Sequence, residues 1–319
     1  MKTFWKNKKV LVMGAGGFIG SHVVDKLVEY GAEVTAQVSK NRKTYPNLDE
    51  SINKITIVTG DLLDLKFCLD ITQEKDIVLN FAAIDGGAAF KKEHSDEIYK
   101  TNSQITLNAL ESAKINSVGR LLLISSSVIY PSTASQPMRE EYGQISDINE
   151  EVDGYVLSKR FLESEAKKYN KEFGLKICVI RPGNVYGTRD HINKGRVIPT
   201  FVNQALNNAP ITLWNNGEQL MAFTYIDDFV EGALRAVEKY SVCEPLNIGS
   251  NKYISVRDLA ALIIKLTKSK SKLGFMQSSQ KFQNRMLDIN KAEKVINFKE
   301  NVDIESGLTE LIDDLRSKR

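Results

Sequence analysis

Short apolar runs alternate with stretches of helical spacing through the first 180 residues of the chain. The runs, several of them rich in β-branched residues, predict strands, and apolar residues that recur every three or four positions predict amphipathic helices. The predicted strands are Lys9–Met13, Glu33–Val38, Ile55–Thr59, Asp76–Phe81, Leu121–Ile124 and Lys176–Ile180, and the predicted helices are Gly20–Tyr30, Glu97–Lys114 and Tyr155–Phe173.

This alternation needs crossover connections, so it predicts an α/β fold of the Rossmann type, a doubly wound parallel sheet with helices on both faces. After Arg181 and Pro182 the rhythm becomes irregular, which indicates a smaller α/β C-terminal lobe. We expect residues 1–183 to form the first domain and residues 184–319 mainly the second, with 222–248 returning to the first. The elements predicted there are the helices Ile198–Asn207, Asp227–Tyr240 and Ser255–Thr267 and the strand Ile211–Leu213.

Three glycines, Gly14, Gly17 and Gly20, lie between the first predicted strand and the first helix. Such spacing permits a tight turn, a close approach of phosphate to the backbone, and close packing of helix on strand. A tight strand–helix turn without a ligand would need the same residues. At the start of an alternating α/β chain, however, the pattern favours dinucleotide binding.

The second predicted strand ends without the acidic residue that usually binds the ribose 2′-hydroxyl of NAD. Ser39, Lys40 and Arg42 follow instead, and a hydroxyl with two cations suits a 2′-phosphate, unless the cations are simply solvated. We therefore expect NADP(H), with NAD(H) possible. Asp61 follows the third strand and could meet the adenine amino group or act as a helix N-cap.

Composition excludes several classes of protein. With 42% hydrophobic and 26% charged residues among 319, the chain is globular, and its net charge of +3 comes from scattered basic residues that do not indicate nucleic-acid binding. The apolar segment Val10–Ile19 is too short and too rich in glycine for a signal peptide or a membrane span. Three distant cysteines without a CxxC pair suggest a reduced, cytoplasmic protein.

No metal site is expected. The three histidines, His22, His94 and His191, are widely separated, and His22 has the simplest explanation as a structural residue. The adjacent Asp227 and Asp228 are better interpreted as a helix N-cap and a first-turn acid than as metal ligands.

Tyr155 and Lys159 are four positions apart on a predicted helix and so share one face. A phenol exchanges protons poorly at neutral pH unless a cation lowers its pKa. We expect Lys159 to do this and also to hold the nicotinamide ribose. Alone, such a pair is common on exposed helices, but beside the glycine loop it indicates catalysis.

At this point the motifs resemble a family. The chain resembles the extended short-chain dehydrogenases/reductases of the nucleotide-sugar epimerase, dehydratase and reductase type, over nearly its whole length. The motifs, in family order, are GAGGFIG (Gly14–Gly20), GDL (Gly60–Leu62), NFAA (Asn80–Ala83), SSSVIYP (Ser125–Pro131), Tyr155-x-x-x-Lys159, RPGNVYG (Arg181–Gly187), RVIPTFV (Arg196–Val202), YIDD (Tyr225–Asp228), NIGS (Asn247–Ser250) and RMLDINKA (Arg285–Ala292).

The resemblance implies a triad of Ser126, Tyr155 and Lys159, with Ser127 as the neighbouring candidate serine. Tyr155 would move a proton and Ser126 would bond the same oxygen while hydride passes between a nicotinamide and a sugar carbon. A homodimer built on the helices around Glu97–Lys114 and Tyr155–Phe173 is also implied. Further cofactor contacts are expected from Phe18, Ile19, Leu62, Phe81, Ala82, Ala83, Pro182, Asn184 and Val185, and substrate contacts from Ser126, Ser127, Asn184, Arg196, Trp214 and Arg285.

Residues that cannot exchange protons at two key positions reduce the number of reactions the chain could catalyse. Dehydratases of the family carry an acidic pair where this chain has Ser127 and Val128. The chain looks most like GDP-fucose synthases, but Val128 and Arg196 occupy the positions of their epimerising cysteine and histidine. A 4-keto sugar reductase or a C4 epimerase remains, and the NADP(H) expectation favours the reductase. A non-catalytic dinucleotide-binding protein on the same fold stays open as an alternative.

One departure concerns the substrate. Many family members clamp the diphosphate with an arginine at the position of Met221, so a charge-assisted contact is lost here. Arg189, Lys194, Arg196 or Arg285 could replace it. Otherwise the substrate would not be a standard nucleoside diphosphate sugar. Trp214 could line a nucleotide pocket or simply pack at the surface.

Overall fold

The computed structural model describes residues 1–144, 153–192, 195–277 and 284–318. The strands are β1 Lys9–Met13, β2 Glu33–Ser39, β3 Thr56–Gly60, β4 Ile77–Asn80, β5 Arg120–Ile124, β6 Ile177–Pro182, β7 Asn184–Tyr186, β8 Ile211–Trp214, β9 Leu220–Tyr225, β10 Pro245–Ile248, β11 Tyr253–Ser255 and β12 Leu273–Met276. The helices are α1 Lys2–Trp5, α2 Phe18–Glu29, α3 Leu65–Thr72, α4 Ala88–Glu93, α5 Ser95–Ile115, α6 Gly154–Phe173, α7 Val197–Leu206, α8 Ile226–Lys239, α9 Val256–Thr267, α10 Asn290–Ile296 and α11 Ile304–Ser317.

The central sheet has seven strands in the order β3-β2-β1-β4-β5-β6-β10, and every pair is parallel. The chain order reverses between β1 and β4, so the helices that follow these strands cover opposite faces. This confirms the doubly wound Rossmann-type fold. Ligands of such sheets bind outside the carboxyl ends of the strands where the order reverses.

Both faces of the sheet are buried, as the nearly continuous apolar strands require. Val10 and Val12 point into one core, which α2 and α8 cover, whereas Leu11 and Met13 point into the other, which α3, α5 and α6 cover. All four side chains are fully buried. The alternation along β1 follows from the two-residue period of a strand, and it makes the strand ends rigid supports for a site.

The C-terminal half adds two small sheets, one of β11, β9 and β7 and one of β12 and β8. The segment 222–248 also contains β10, which extends the central sheet beside β6, and α8, which packs against α2. Asn184 and Val185 of β7 follow β6 after Gly183, at the carboxyl edge of the central sheet.

The start of α8 corrects one sequence interpretation. Tyr225 is the N-cap of α8, so Asp227 is a first-turn residue like Asp228, and the N-cap interpretation was wrong. Asp228 instead accepts hydrogen bonds from the backbone N–H groups of Asn301 and Val302. In the part of the chain that the structure describes, no helix is both long and apolar enough to cross a membrane.

Candidate active site

The glycine loop closes the turn from β1 to α2 against the end of β4. Gly14 has a φ of +74°, and a Cβ there would lie 2.8 Å from the backbone nitrogen of Ala82. A Cβ on Gly20 would collide with the carbonyl of Gly14, so this glycine permits close packing of helix on strand. The N-cap residue Gly17 brings no side chain to the first N–H groups of α2, which fits a bound phosphate.

A cavity of about 320 Å³, the glycine-loop cavity, opens beside this turn. Gln37 on β2 ties its walls together, because Gly14 N donates to Gln37 Oε1 at 2.9 Å and Gln37 Nε2 donates to the Gly60 carbonyl at 3.1 Å. Sequence reasoning missed Gln37, although a polar residue inside a buried strand was a signal. The expected residues on its walls are Gly14, Gly17, Ser39, Arg42, Asp61, Leu62, Phe81, Ala82 and Ala83.

The two cationic residues after β2, Lys40 and Arg42, both contact groups of the protein itself. Arg42 Nη1 donates to the Gly16 carbonyl at 2.5 Å, which places its guanidinium at the cavity wall. Lys40 is exposed and pairs with Asp61 at 2.9 Å. A hydrogen bond from the Leu63 N–H, together with Lys40, holds the pKa of Asp61 below its ordinary value. The N-cap of α3 is Asp64, so the N-cap interpretation of Asp61 was wrong.

A second cavity of about 350 Å³, the triad cavity, brings Ser126, Tyr155 and Lys159 together. Asp153 caps α6 by accepting from Val156 N at 3.0 Å, which fixes the turn that carries Tyr155. The side chain of Ser126 lies beside that of Tyr155 and acts to lower the pKa of the phenol. Lys159 Nζ donates to the Ile124 carbonyl at 2.8 Å, so the end of β5 holds the ammonium.

The pKa of Tyr155 differs from the sequence expectation. Burial raises it above its ordinary value, and the charge of Asp85 adds to this. The ammonium of Lys159 lies 5.4 Å from the centre of the phenol ring and is bound to the Ile124 carbonyl. Burial lowers the pKa of Lys159 to about 8, while Asp85 opposes and Lys91 reinforces the change. A phenol with a raised pKa stays protonated at pH 7.

A buried ion pair between Arg181 and Glu163 lies next to the triad. Arg181 on β6 and Glu163 on α6 form two hydrogen bonds, Nε to Oε1 at 2.8 Å and Nη2 to Oε2 at 2.7 Å. The hydroxyl of Ser125 donates to the same carboxylate at 2.5 Å, and Arg181 also donates to the hydroxyl of Tyr130 at 3.0 Å. The network therefore joins the strand end before Ser126 to the helix that carries Lys159.

Two charged residues in the triad cavity were not expected. Lys91 on α4 pairs with Asp85 at 2.9 Å, and its ammonium lies 3.7 Å from the centre of the Tyr155 ring. Burial alone would raise the pKa of Asp85, but Lys91, the Gly86 N–H and Arg196 together hold it below its ordinary value. In the sequence, Lys91 is one of two adjacent lysines on a short helix, and nothing there indicates which one faces inward.

Four of the six expected substrate residues line this cavity, namely Ser126, Ser127, Asn184 and Arg196. Asn184 lines it and donates to the Ala222 carbonyl at 3.0 Å, whereas Arg196 forms an ion pair with the buried Asp190 and lies 5.2 Å from the centre of the Phe18 ring. Burial raises the pKa of Asp190 to about 6. The other expected residues that line the triad cavity are Ile19, Phe81, Ala82, Ala83, Pro182 and Val185.

The candidate residues for the diphosphate contact differ in whether they lie near Met221. Arg285 forms an isolated β-bridge with Met221, so the two backbones run side by side. It lines a small cavity of about 60 Å³ with Ser127 and Asn184. Arg189 instead pairs with Asp25 at 2.6 Å, away from that position, and Lys194 lies outside the described residues.

Trp214 belongs to a third cavity of about 310 Å³, the Trp214 cavity, which also includes Met221. Its indole is 47% exposed at the end of β8 and lies beside the apolar face of α7. Val197 and Gly195 line both this cavity and the triad cavity, so the two are neighbours. An elongated ligand could therefore reach from Tyr155 to Trp214.

Comparison with known proteins shows which family the chain resembles. A sequence model described as the NAD dependent epimerase/dehydratase family matches residues 10–249. The chain is 32% identical to a dTDP-4-dehydro-6-deoxy-D-allose reductase of a Streptomyces species over 92% of each chain. It is 30% identical to a GDP-mannose 3,5-epimerase of Arabidopsis thaliana, over 96% of this chain and 82% of the relative. UDP-glucose 4-epimerase of Thermotoga maritima, solved with UDP-glucose, superposes with a TM-score of 0.88 at 25% identity, over 97% of this chain and 99% of that one.

Proposed function

The chain belongs to the NAD dependent epimerase/dehydratase family of enzymes, and we propose that it reduces a 4-keto group on a nucleotide-linked sugar with NADP(H). The observation that carries the proposal is the meeting of Ser126, Tyr155 and Lys159 in one cavity beside the glycine loop. The similarity to a reductase of a dTDP-linked 4-keto sugar supports the same reaction.

Each residue of the triad has one role in the proposed ketone reduction. A bound nicotinamide dinucleotide would supply the hydride to the keto carbon. Tyr155, kept protonated by burial, donates its phenolic proton to the sugar oxygen as that oxygen gains charge. Ser126 binds the same oxygen and orients it toward the phenol, and Lys159 holds the ribose of the dinucleotide.

Preference for NADP(H) is supported by the end of β2. Ser39 and Arg42 line the glycine-loop cavity where a ribose 2′-phosphate would lie, and Gln37 occupies the buried strand position near them. We expect Arg42→Ala to raise the Kd of NADPH about 10-fold or more, because a charge-assisted contact to phosphate is lost. The Kd of NADH should change by less than about 3-fold, and equal losses for the two dinucleotides would contradict the assignment.

The nucleotide sugar would extend from Tyr155 toward Met221 and Trp214. We assign the diphosphate contact to Arg285, whose backbone lies directly beside Met221. Arg196 would lie nearer the sugar, held by Asp190. Trp214, at the mouth of the third cavity, is suited to stack on the base.

The test is the reduction of dTDP-4-dehydro-6-deoxy-D-allose, followed by NADPH absorbance, with GDP- and UDP-linked 4-keto sugars as comparison substrates. Tyr155→Phe should lower kcat by about 100-fold or more, the range typical of a lost general acid. The Kd of the dinucleotide should stay within about 3-fold of that of the wild type. Full activity of the variant would refute the role of Tyr155.

A C4 epimerase that keeps NAD bound is the second candidate. It needs the same triad, and the similarity of the whole chain to UDP-glucose 4-epimerase favours it. Mass spectrometry of the purified protein under non-denaturing conditions separates the two. Tightly held NAD, with interconversion of sugars in the absence of added dinucleotide, would replace the reductase with the epimerase.

The proposal also includes a homodimeric state and a cytoplasmic location. The paired helices α5 and α6 present Tyr99, Leu157 and Phe173 to solvent, which supports a homodimer built on these helices. Light scattering at micromolar concentration should give twice the monomer mass, and a monomer would contradict this. Cys68, Cys178 and Cys243 are free thiols, which fits a cytoplasmic location.

A further inference from the structure

The cation nearest to Tyr155 is on a different helix from the one that carries the tyrosine. The ammonium of Lys91 lies 3.7 Å from the centre of the phenol ring, whereas that of Lys159 lies 5.4 Å from it. Lys159 is also committed to the Ile124 carbonyl. Lys91 is therefore the better placed of the two to respond to a change of charge on the ring.

The position of Lys91 is built into the fold. Its side chain is mostly buried, and the Asp85 carboxylate holds the ammonium at 2.9 Å. Asp85 Oδ1 in turn accepts from the Gly86 N–H at 2.8 Å, which orients the carboxylate. The short helix α4, which carries Lys91, packs against both α5 and α6, and α6 carries Tyr155.

Proton donation by Tyr155 leaves a negative charge on a buried side chain, which is costly without a nearby cation. An ammonium over the ring face is weakly attracted while the phenol is neutral. The attraction becomes that of an ion pair when the ring becomes a phenolate. A cation at this place thus favours the state after proton transfer over the state before it.

We propose that Lys91, held by Asp85, is a positioning residue that stabilises the tyrosinate formed at Tyr155 when its proton passes to the sugar oxygen. This inference rests on the proposed function, since it needs Tyr155 as the proton donor. No other group is consumed: the O–H bond of Tyr155 breaks, a new O–H bond forms on the sugar, and Lys91 keeps its own protons.

Several charges face the phenol from different elements. Asp85, after β4, and Asp153, before α6, oppose the phenolate, whereas Arg196, before α7, and the side chain of Ser126 favour it. Removing the charge of Lys91 also removes the ammonium that pairs with Asp85 beside the ring. Both effects act in the same direction, so the pKa of Tyr155 should rise further in the variant.

The experiment compares Lys91→Met, which keeps the length of the side chain, with Lys91→Arg, which keeps the charge. We expect Lys91→Met to lower kcat for ketone reduction at pH 7 by about 10- to 100-fold. The Kd of NADPH should stay within about 3-fold of that of the wild type, because Lys91 acts on the proton transfer and not on dinucleotide binding. Lys91→Arg should stay within about 5-fold of the wild type. Lys92→Met, at the exposed neighbour on the same helix, is the matched control and should leave both unchanged.

A double-mutant cycle with Tyr155→Phe separates this inference from the function on which it rests. On the Tyr155→Phe background, Lys91→Met should cause no further loss of kcat. An unchanged kcat in Lys91→Met, or an equal loss with and without the Tyr155 hydroxyl, would overturn the role of Lys91 while the proposed function stands. Full activity of Tyr155→Phe would overturn both. The charge-retaining Lys91→Arg keeps the test decisive if Lys91→Met is poorly folded.

Discussion

Replacing Glu163 with leucine removes one partner of the buried ion pair under the triad. Arg181 is 1% exposed and would keep its charge without the two hydrogen bonds to the carboxylate. At an effective dielectric constant of about 20, charges roughly 4 Å apart attract by about 4 kcal/mol, and breaking one side of a buried pair typically costs about 3–5 kcal/mol. We therefore expect the free energy of unfolding to fall by about 3–5 kcal/mol.

Urea denaturation, followed by the fluorescence of the buried Trp5, measures this loss. The double variant Glu163→Leu/Arg181→Met should recover at least about half of it, because no uncompensated charge stays buried. Asp96→Ala breaks the exposed pair with Lys100 and is the matched control, with an expected change within about 0.5 kcal/mol. A Glu163→Leu variant within about 1 kcal/mol of the wild type, or a double variant as unstable as the sum of the single ones, would refute the reasoning.

Two further predictions follow from the site. Gly20→Ala places a Cβ against the carbonyl of Gly14, so the glycine loop must shift. We expect this variant to raise the Kd of NADPH at least about 10-fold. The control is Gly174→Ala, where a Cβ meets open space, and it should leave that Kd unchanged. The folded pKa of Asp190 is raised to about 6, so its favourable contribution is complete below about pH 4 and is lost as pH rises through about 6. The stability of the wild type relative to Asp190→Asn, measured by urea denaturation, should therefore fall by about 2–3 kcal/mol between pH 4 and pH 7, and a constant difference would contradict the raised pKa.

The sequence predicted what depends on local pattern. The strands that alternate with helices, the glycine turn before α2 and the capped helix that carries Tyr155 and Lys159 all have periodic or spacing signals. The strands β7 and β11 were missed because each has only three residues. Their stability comes from pairing with distant partners, which a local window does not contain.

Charge pairing was the least predictable part of the site. Lys40 looked like a phosphate ligand, but Asp61, 21 positions away, binds it in the structure. Lys91 and Asp85 meet Tyr155 only because α4 folds back against α6. The pKa of Tyr155 was expected to be lowered, and burial raises it instead. In each case the deciding contact joins residues that no spacing rule connects.

The most direct test of the proposed reaction traces which hydrogen atoms of NADPH and of the solvent enter the sugar product. NADPH carrying deuterium at both positions of nicotinamide C4 is incubated with dTDP-4-dehydro-6-deoxy-D-allose in H₂O, and the sugar product is examined by NMR. The account predicts one deuterium at sugar C4, and a parallel reaction in D₂O should introduce no carbon-bound deuterium at C3 or C5. A product without cofactor deuterium at C4, or with solvent deuterium at C3 or C5, would contradict a simple 4-keto reduction.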